Sequence, residues 1–171
     1  MRDVARVSTV GESFDLAGAS FGSSEALVSH RERALVECRC SEEMDRFIAA
    51  RDSLPPHLQG FIVPYTLEEY QDKDATLFVT VDGRGGFAIM QGELASLFSL
   101  PGAHYGDMLV QEAVERGASK LSCFDTRGKL PSLYGRHGFT ETFRAAWDDA
   151  CAPKNWNFDA WGRPDYVEMS R

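Results

Sequence analysis

Aromatic rings beside carboxylates are the residues of this sequence best suited to hold a charged ligand. They lie in two runs near the carboxyl end, Trp147-Asp148-Asp149 and Trp156-Asn157-Phe158. Ring faces and negative charge together can hold a cationic amine. The same rings could instead fill the core or a homodimer interface, where Trp is enriched. The sequence leaves these alternatives open.

The overall charge also favours a cationic partner. Among the 171 residues there are 18 Lys and Arg against 26 Asp and Glu, a formal net charge of −8 at pH 7. An acidic protein attracts amines and disfavours the phosphates of nucleic acid. We therefore expect an amine-bearing partner, although the run Arg127-Gly128-Lys129 could form a local basic patch.

Other polar residues have structural interpretations beside the chemical ones. Asp125 follows an apolar run, a position where crossover folds place sites, but it could equally hold the turn after it. His137 is expected at the surface or as a cap, and no spacing of His, Cys and Asp indicates a metal. The four cysteines form no Cys-x-x-Cys pair, and we expect buried free thiols. They are Cys38, Cys40, Cys123 and Cys151.

The elements that position these residues begin with an antiparallel meander. A helix should start at Ser41, its N-cap, and end at Pro55-Pro56, and Thr66 should cap a shorter helix. Strands are predicted over residues 34–38, 75–81, 87–90 and 93–99, and short turns join the last three into the meander.

The second half of the sequence predicts a β-α-β crossover. The elements are a helix over residues 107–116 closed by Gly117, a strand over 120–124, a short helix near 131–137 and a strand over 165–169. Because a helix separates strands 93–99 and 120–124, the two should run parallel.

Two stretches resemble the GCN5-related N-acetyltransferases. Residues 92–101, GELASLFSLP, resemble the family's fourth strand, which leads into the cofactor loop, and residues 133–139, LYGRHGF, resemble its late Tyr-to-Gly-Phe signature. The resemblance covers residues 33–171. It implies an α+β fold with a mixed central sheet, in which an N-terminal antiparallel meander precedes a β-α-β crossover with splayed parallel strands.

The resemblance also implies the cofactor and its seat. Acetyl-CoA would be the co-substrate, without a metal, and an amine on a small molecule, peptide or protein would accept the acyl group. The main-chain edge for the pantetheine arm would come from Leu97, Phe98 and Ser99. His104, Gly106, Asp107 and Met108 would face the phosphates, because free N–H groups at a helix N-terminus favour anions.

By the same resemblance, Tyr134 would donate a proton to the departing thiolate and Glu93 would act as base, directly or through water. The N–H of Ser99 or Leu100 would polarise the thioester carbonyl. Tyr134 could equally be a tyrosine at the core edge, and Glu93 a solvated strand end. These roles come from the family and not from the spacing.

The sequence departs from the family at the cofactor loop. Residues 101–106 are shorter than the family pattern and place one glycine, Gly106, at the entrance of the helix, while Asp107 would cap the helix and add negative charge. The chain could therefore be a degenerate acetyltransferase fold that acts as a binding or inhibitory module. A nucleobase-modifying relative from a mobile element is a further alternative.

The domain organisation and location follow from composition. We expect an N-terminal extension or arm over residues 1–32 and one acetyltransferase-like domain over 33–171. No apolar run is long enough to cross a membrane and the start lacks a signal peptide pattern. The expected location is cytoplasmic.

Overall fold

A computed structural model describes residues 31–171 of the chain. The strands are β1 (Leu35–Glu37), β2 (Thr76–Thr80), β3 (Gly85–Met90), β4 (Glu93–Ser99), β5 (Lys120–Phe124), β6 (Thr140–Ala145) and β7 (Tyr166–Ser170). The helices include α1 (Ser41–Asp52), α2 (Pro56–Gln59), α3 (Leu67–Asp72), α4 (Gly106–Glu115), α5 (Lys129–Arg136) and α6 (Phe158–Trp161). The predicted α+β class is confirmed. The expected N-terminal arm lies, up to residue 30, outside the described residues.

The seven strands form one mixed sheet in the order β1-β2-β3-β4-β5-β7-β6. Strands β1 to β4 pair antiparallel, as the turns predict for β2, β3 and β4, whereas β4 and β5 pair parallel across the α4 crossover. After α4, Gly117 has a φ of 94°. A left-handed residue at this point lets the chain turn sharply into β5, and glycine adopts it without steric cost.

Helices cover both faces of the central strands. A Cβ at Gly86 would contact Phe47 of α1, whereas a Cβ at Gly85 would contact Leu109 of α4. Because successive strand residues point to opposite faces, α1 and α4 lie on opposite sides of the sheet. We call these sides the α1 face and the α4 face.

Strand β6 is not predicted from the sequence. Its residues are exposed along nearly the whole strand, so the alternation that marks a half-buried strand is missing. Pairing with β7 defines it instead, since Thr140 opposes Ser170 and Ala145 opposes Tyr166. Tertiary pairing thus decides an element that local sequence leaves undefined.

The caps of the first helices are partly as expected. Thr66 Oγ1 accepts the N–H of Glu69, and Glu69 Oε2 accepts the N–H of Thr66, which confirms that cap. For α1 the N-cap is Cys40, not Ser41, and Glu43 Oε2 accepts the Cys40 N–H at 3.2 Å. A side-chain oxygen at the third helical position therefore replaces the hydroxyl cap.

The expectation of four buried thiols is half correct. Cys38 and Cys123 are buried, whereas Cys40 and Cys151 are exposed. Strand β1 ends at Glu37, so Cys40 does not continue the strand alternation that would have buried it.

The tryptophan-rich tail packs within the chain. Trp156 lies 4.7 Å from Phe124, 4.8 Å from Phe61 and 4.9 Å from Trp147 between ring centroids, and Trp161 lies 5.0 Å from Phe61. Core packing is therefore the observed role of these rings. They attach the tail to β5 and to the segment after α2.

Candidate active site

Strands β4 and β5 separate after two pairs of parallel residues. Within the described residues, the register joins Glu93 to Lys120 and Leu94 to Leu121, and no later pair follows although both strands continue. The facing edges beyond these pairs lack a ladder partner across the opening. We call the opening the β4–β5 gap and its joined end the apex.

The main chain of Ser99 points into this gap. The Leu100 N–H donates to the Arg84 carbonyl at 2.8 Å, so Ser99 and the β3 residue opposite it form a non-hydrogen-bonded pair. The N–H and C=O of Ser99 therefore point away from β3. By alternation Leu97 shares this direction and Phe98 does not. The expectation that the Leu100 N–H polarises a carbonyl is wrong, since that N–H is already bonded.

The walls of the gap are closed to solvent. Leu97, Phe98, Ser99 and Tyr134 are each 0% exposed. A pantetheine arm could reach the Ser99 main chain only after a local opening of these walls.

A β-bulge bends β4 as the strands diverge. Gly86 opposes Phe98 and Ala88 opposes Ala95, so Ser96 and Leu97 together occupy the space of one residue. Ser96 has a φ of 49°, which is unusual for a residue with a side chain. The bulge increases the local twist and so turns β4 away from β5.

The N-terminus of α4 lies at the end of the gap away from the apex. The Tyr105 N–H donates to Ser99 Oγ at 3.1 Å, and Tyr105 is the N-cap of α4 without a side-chain cap bond. The first amides of the helix, those of Gly106, Asp107 and Met108, are therefore available to an anion.

Asp107 does not cap the helix, contrary to the sequence expectation. Its Oδ1 accepts from Arg136 Nη2 at 3.0 Å and lies 3.0 Å from His137 Nε2. The hydrogen bond to His137, followed by that to Arg136, lowers the pKa of Asp107. The Asp107 carboxylate thus connects α4 to the end of α5, and the positive charge of Arg136 compensates the negative charge of Asp107. His137 is the C-cap of α5, as expected.

The hairpin between β2 and β3 braces the predicted cofactor loop. Tyr105 Oη donates to Asp82 Oδ2 at 2.6 Å, and Arg84 Nη2 donates to the Pro101 carbonyl at 3.0 Å. Burial, and then the hydrogen bond to Asp82, raises the pKa of Tyr105 to about 12. His104 is exposed in the same loop. Sequence reasoning missed Arg84 and Tyr105, because only the folded meander brings hairpin and loop together.

Tyr134 lies under the α4 face of β5. Its ring packs edge-on against Phe139 at 6.2 Å between centroids. Burial, and then the nearby Cys123, raises the pKa of Tyr134 well above its usual range. Cys123 is in the part of β5 beyond the last pair with β4. The phenol therefore keeps its proton beside the divergent part of β5.

Polar groups collect on the α1 face of the apex. Ser122 Oγ is buried close to the Tyr166 hydroxyl, and its residue opposes Glu168 in the sheet. Tyr166 Oη lies 3.4 Å from Glu168 Oε1. Burial raises the pKa of Tyr166, a hydrogen bond with Ser122 partly opposes this, and the carboxylates of Glu168 and Glu93 raise the pKa further. Glu93, which is 7% exposed, thus lies near residues that sequence reasoning missed.

The remaining candidates lie outside the gap. Asp125 Oδ1 accepts the Gly128 N–H at 2.6 Å, which confirms its role in the turn. A cavity of about 200 Å³, lined in part by Gln59 and Asn155, includes no predicted site residue. Over residues 31–171, no group of three or more His, Cys, Asp or Glu could hold a metal ion, and no helix is long and apolar enough to cross a membrane.

Comparison with known proteins identifies the fold. No family model and no curated protein match the chain. Among solved structures, the spermidine N-acetyltransferase from Vibrio cholerae in complex with CoA and spermine matches with a TM-score of 0.56 at 17% identity, over 80% of this chain and 92% of that one. This chain has the GCN5-related N-acetyltransferase fold.

Other acetyltransferases show weaker likeness to this fold. A ribosomal-protein-alanine N-acetyltransferase from Brucella melitensis has a TM-score of 0.48 at 16% identity, over 81% of this chain and 98% of that one. A Bacillus subtilis acetyltransferase in complex with CoA has a TM-score of 0.46 at 13% identity, over 79% and 95%.

Proposed function

We propose that this chain is an N-acyltransferase that moves an acetyl group from acetyl-CoA to an amine. The observation that carries the proposal is the β4–β5 gap, where parallel pairing stops at Leu94 and Leu121 while both strands continue. Unpaired main-chain groups along such an edge can hold the amides of a pantetheine arm as a further strand would. Cytoplasmic location stays a prediction from composition.

The cofactor would lie along β4 with its phosphates at α4. Leu97 and Ser99 would offer main-chain groups to the arm, and Phe98 would line it. The N-terminal amides of α4, from Gly106 to Met108, would hold the phosphates. His104 would add a donor, and Asp107, bonded to Arg136, would not repel them as a bare carboxylate would.

The chemistry would use proton transfers on both sides of the gap. The amine nitrogen attacks the thioester carbon, and the carbonyl electrons move to oxygen. Collapse of this oxyanion breaks the C–S bond, and the leaving thiolate takes the proton of Tyr134. Glu93 accepts the proton that the amine loses, and exchange with solvent restores both residues.

The acceptor would approach from the α1 face. Glu93 and Glu168 lie near Tyr166 on that face of the apex, and carboxylates there attract an ammonium group. The fold's similarity to a spermidine N-acetyltransferase makes polyamines the first acceptors to test.

Calorimetric titration and amide exchange test the cofactor site together. We expect acetyl-CoA to bind in one-to-one ratio and to slow exchange of the Ser99 amide, which faces the gap. The Leu100 amide is an internal control, because its bond to Arg84 already protects it. Lack of binding, or binding without protection of Ser99, would contradict the proposal.

Acetyl transfer is then followed by mass spectrometry with spermidine, spermine and a peptide with a free amino terminus as acceptors. Transfer to any of them supports the enzyme. Binding of acetyl-CoA without transfer to a broad amine panel would favour the alternative of a binding or inhibitory module.

A further inference from the structure

A buried chain of hydrogen bonds connects α1 to the bulge of β4. Arg51 Nη1 donates to Tyr70 Oη at 3.0 Å, and Tyr70 Oη donates to Ser96 Oγ at 2.7 Å. Arg51, Tyr70 and Ser96 are 3%, 1% and 2% exposed. Such a network is electrostatically stronger than its counterpart in water.

Each donor in this series of hydrogen bonds points toward the bulge of β4. A guanidinium can only donate, so the Tyr70 oxygen accepts from Arg51 and its own proton goes to Ser96. The Ser96 hydroxyl then has its proton left to give, and residues 31–171 show no acceptor for it. Each donor polarises the next, so Ser96 O–H is a stronger donor than an isolated serine.

Ser96 lies where the tip of a ligand in the gap would be. It is the second residue past the last β4 pair, Leu94 with Leu121. An arm that enters beside Ser99 and follows the edge of β4 ends against this closed end. The positive φ of Ser96 adds to the argument, because strained backbone of this kind concentrates at functional sites.

The apex carries a further buried polar group. Ser122 is the first β5 residue past the same pair and is 3% exposed, and its Oγ lies close to the Tyr166 hydroxyl. A polar ligand group at the apex would therefore meet hydroxyl groups from both β4 and β5.

We propose that Arg51 and Tyr70 are positioning residues that aim the Ser96 O–H at the thioester carbonyl oxygen of bound acetyl-CoA. The inference rests on the proposed function and adds a side-chain donor to it. When the amine attacks, negative charge grows on that oxygen, and a preorganised donor stabilises the transition state more than the ground state.

The variants Ser96→Ala and Tyr70→Phe test the chain of donors. Each variant removes one hydroxyl. The backbone at position 96 has to adopt the same conformation with Ala as with Ser. Tyr65→Phe is the matched control, because the Tyr65 ring packs against the Tyr70 ring at 5.4 Å and Arg51 Nη1 donates to the Tyr65 main-chain carbonyl, which the variant keeps.

The decisive measurement is the infrared carbonyl band of acetyl-CoA labelled with carbon-13 at the thioester, which needs no acceptor. We expect the band to lie at lower frequency in the wild-type complex than in solution. Ser96→Ala and Tyr70→Phe should move it back toward the solution value, and Tyr65→Phe should not. Loss of one oxyanion donor should also lower kcat by about 100-fold in Ser96→Ala, with little change in acetyl-CoA affinity.

The outcomes separate this inference from the proposed function. A carbonyl band that Ser96→Ala and Tyr70→Phe leave unchanged, with acetyl-CoA still bound, overturns the donor chain and leaves the acyltransferase intact. Failure of the wild-type protein to bind acetyl-CoA overturns both. If Ser96→Ala does not fold, Tyr70→Phe, which keeps its ring in place, decides alone.

Discussion

Tyr134 combines complete burial with a position beside the part of β5 that diverges from β4. A phenol whose pKa is raised by burial keeps its proton at neutral pH. Because a thiol has a pKa of about 8.5, a leaving thiolate is a weaker base than this phenolate, and burial therefore weakens Tyr134 as an acid. Packing in the core and proton donation thus make opposite demands on the burial of Tyr134.

The variant Tyr134→Phe separates these two roles. General acid catalysis typically contributes 10²–10⁴-fold, so we expect kcat to fall by about 100-fold or more while acetyl-CoA affinity changes little. Steady-state kinetics and calorimetry measure the two quantities. Equal turnover in the variant would remove Tyr134 from the mechanism and leave it as a packing residue.

The bond between Tyr105 and Asp82 should make stability depend on alkaline pH. The pKa of Tyr105 is raised to about 12, above the value of about 10 in an unfolded chain. Between these values the folded state holds a proton that the unfolded state loses, so its stabilising contribution is complete below pH 10 and falls as pH rises toward 12.

We therefore expect the free energy of unfolding to decline more steeply above pH 10 in the wild type than in Tyr105→Phe. Denaturant unfolding at several pH values measures the difference. Parallel pH dependence in the two proteins would show that this bond does not control the titration of Tyr105.

At the scale of the elements, the contact between β3 and α1 allows no side chain at Gly86. A Cβ there would lie 2.5 Å from the Phe78 carbonyl oxygen and 3.1 Å from the Phe47 ring. The strand that supports β4 is thus held against its neighbours at main-chain distance. This close packing keeps the bulged strand fixed in position.

The variant Gly86→Ala should destabilise the protein by about 1–3 kcal/mol through overpacking. Gly135→Ala is the matched control: it lies in α5 with nothing within 4 Å of the added methyl group, and Ala is favoured in helices by about 0.5–1 kcal/mol. Urea unfolding of both variants measures the changes. Equal effects of the same sign would contradict the packing argument.

At the scale of the whole molecule, the aromatic tail joins regions that are distant in sequence. Trp156 packs on Phe61 and Phe124, and its Nε1 donates to the Gly162 carbonyl at 2.9 Å. The tail therefore joins β5, one wall of the gap, to the segment that follows α2. The aromatic rings of the tail pack in the core, whereas the carboxylates at the apex would bind the proposed acceptor.

Truncation of Trp156 to Ala should cost about 3–5 kcal/mol, as for other large buried rings. Phe143→Ala is the control, because Phe143 is 42% exposed on β6 and such changes usually stay within about 0.5 kcal/mol. Chemical denaturation compares the two. A loss for Trp156→Ala no larger than that for Phe143→Ala would show that the tail does not stabilise the domain.

Residue patterns predicted most of the strands and helices that surround the gap. The period of apolar residues gives strands 93–99 and 120–124 their observed bounds, because buried strands carry a strong local signal. Thr66 and Gly117 are equally local, since a cap depends on a few neighbouring residues. Strand β6 escapes prediction because its residues are exposed and its partner lies far along the chain.

The sequence by itself determined strands β1 to β5 and the helix α4 between the last two, and with it the parallel crossover, because these follow from short-range periodicity and turn chemistry. Tertiary structure alone decided the function of Asp107, which pairs with Arg136 instead of capping α4. It also decided the series of hydrogen bonds from Arg51 through Tyr70 to Ser96, in which the first and last residues are 45 positions apart in the sequence. Long-range hydrogen bonds depend on which faces meet after the sheet assembles, and no local pattern encodes that meeting.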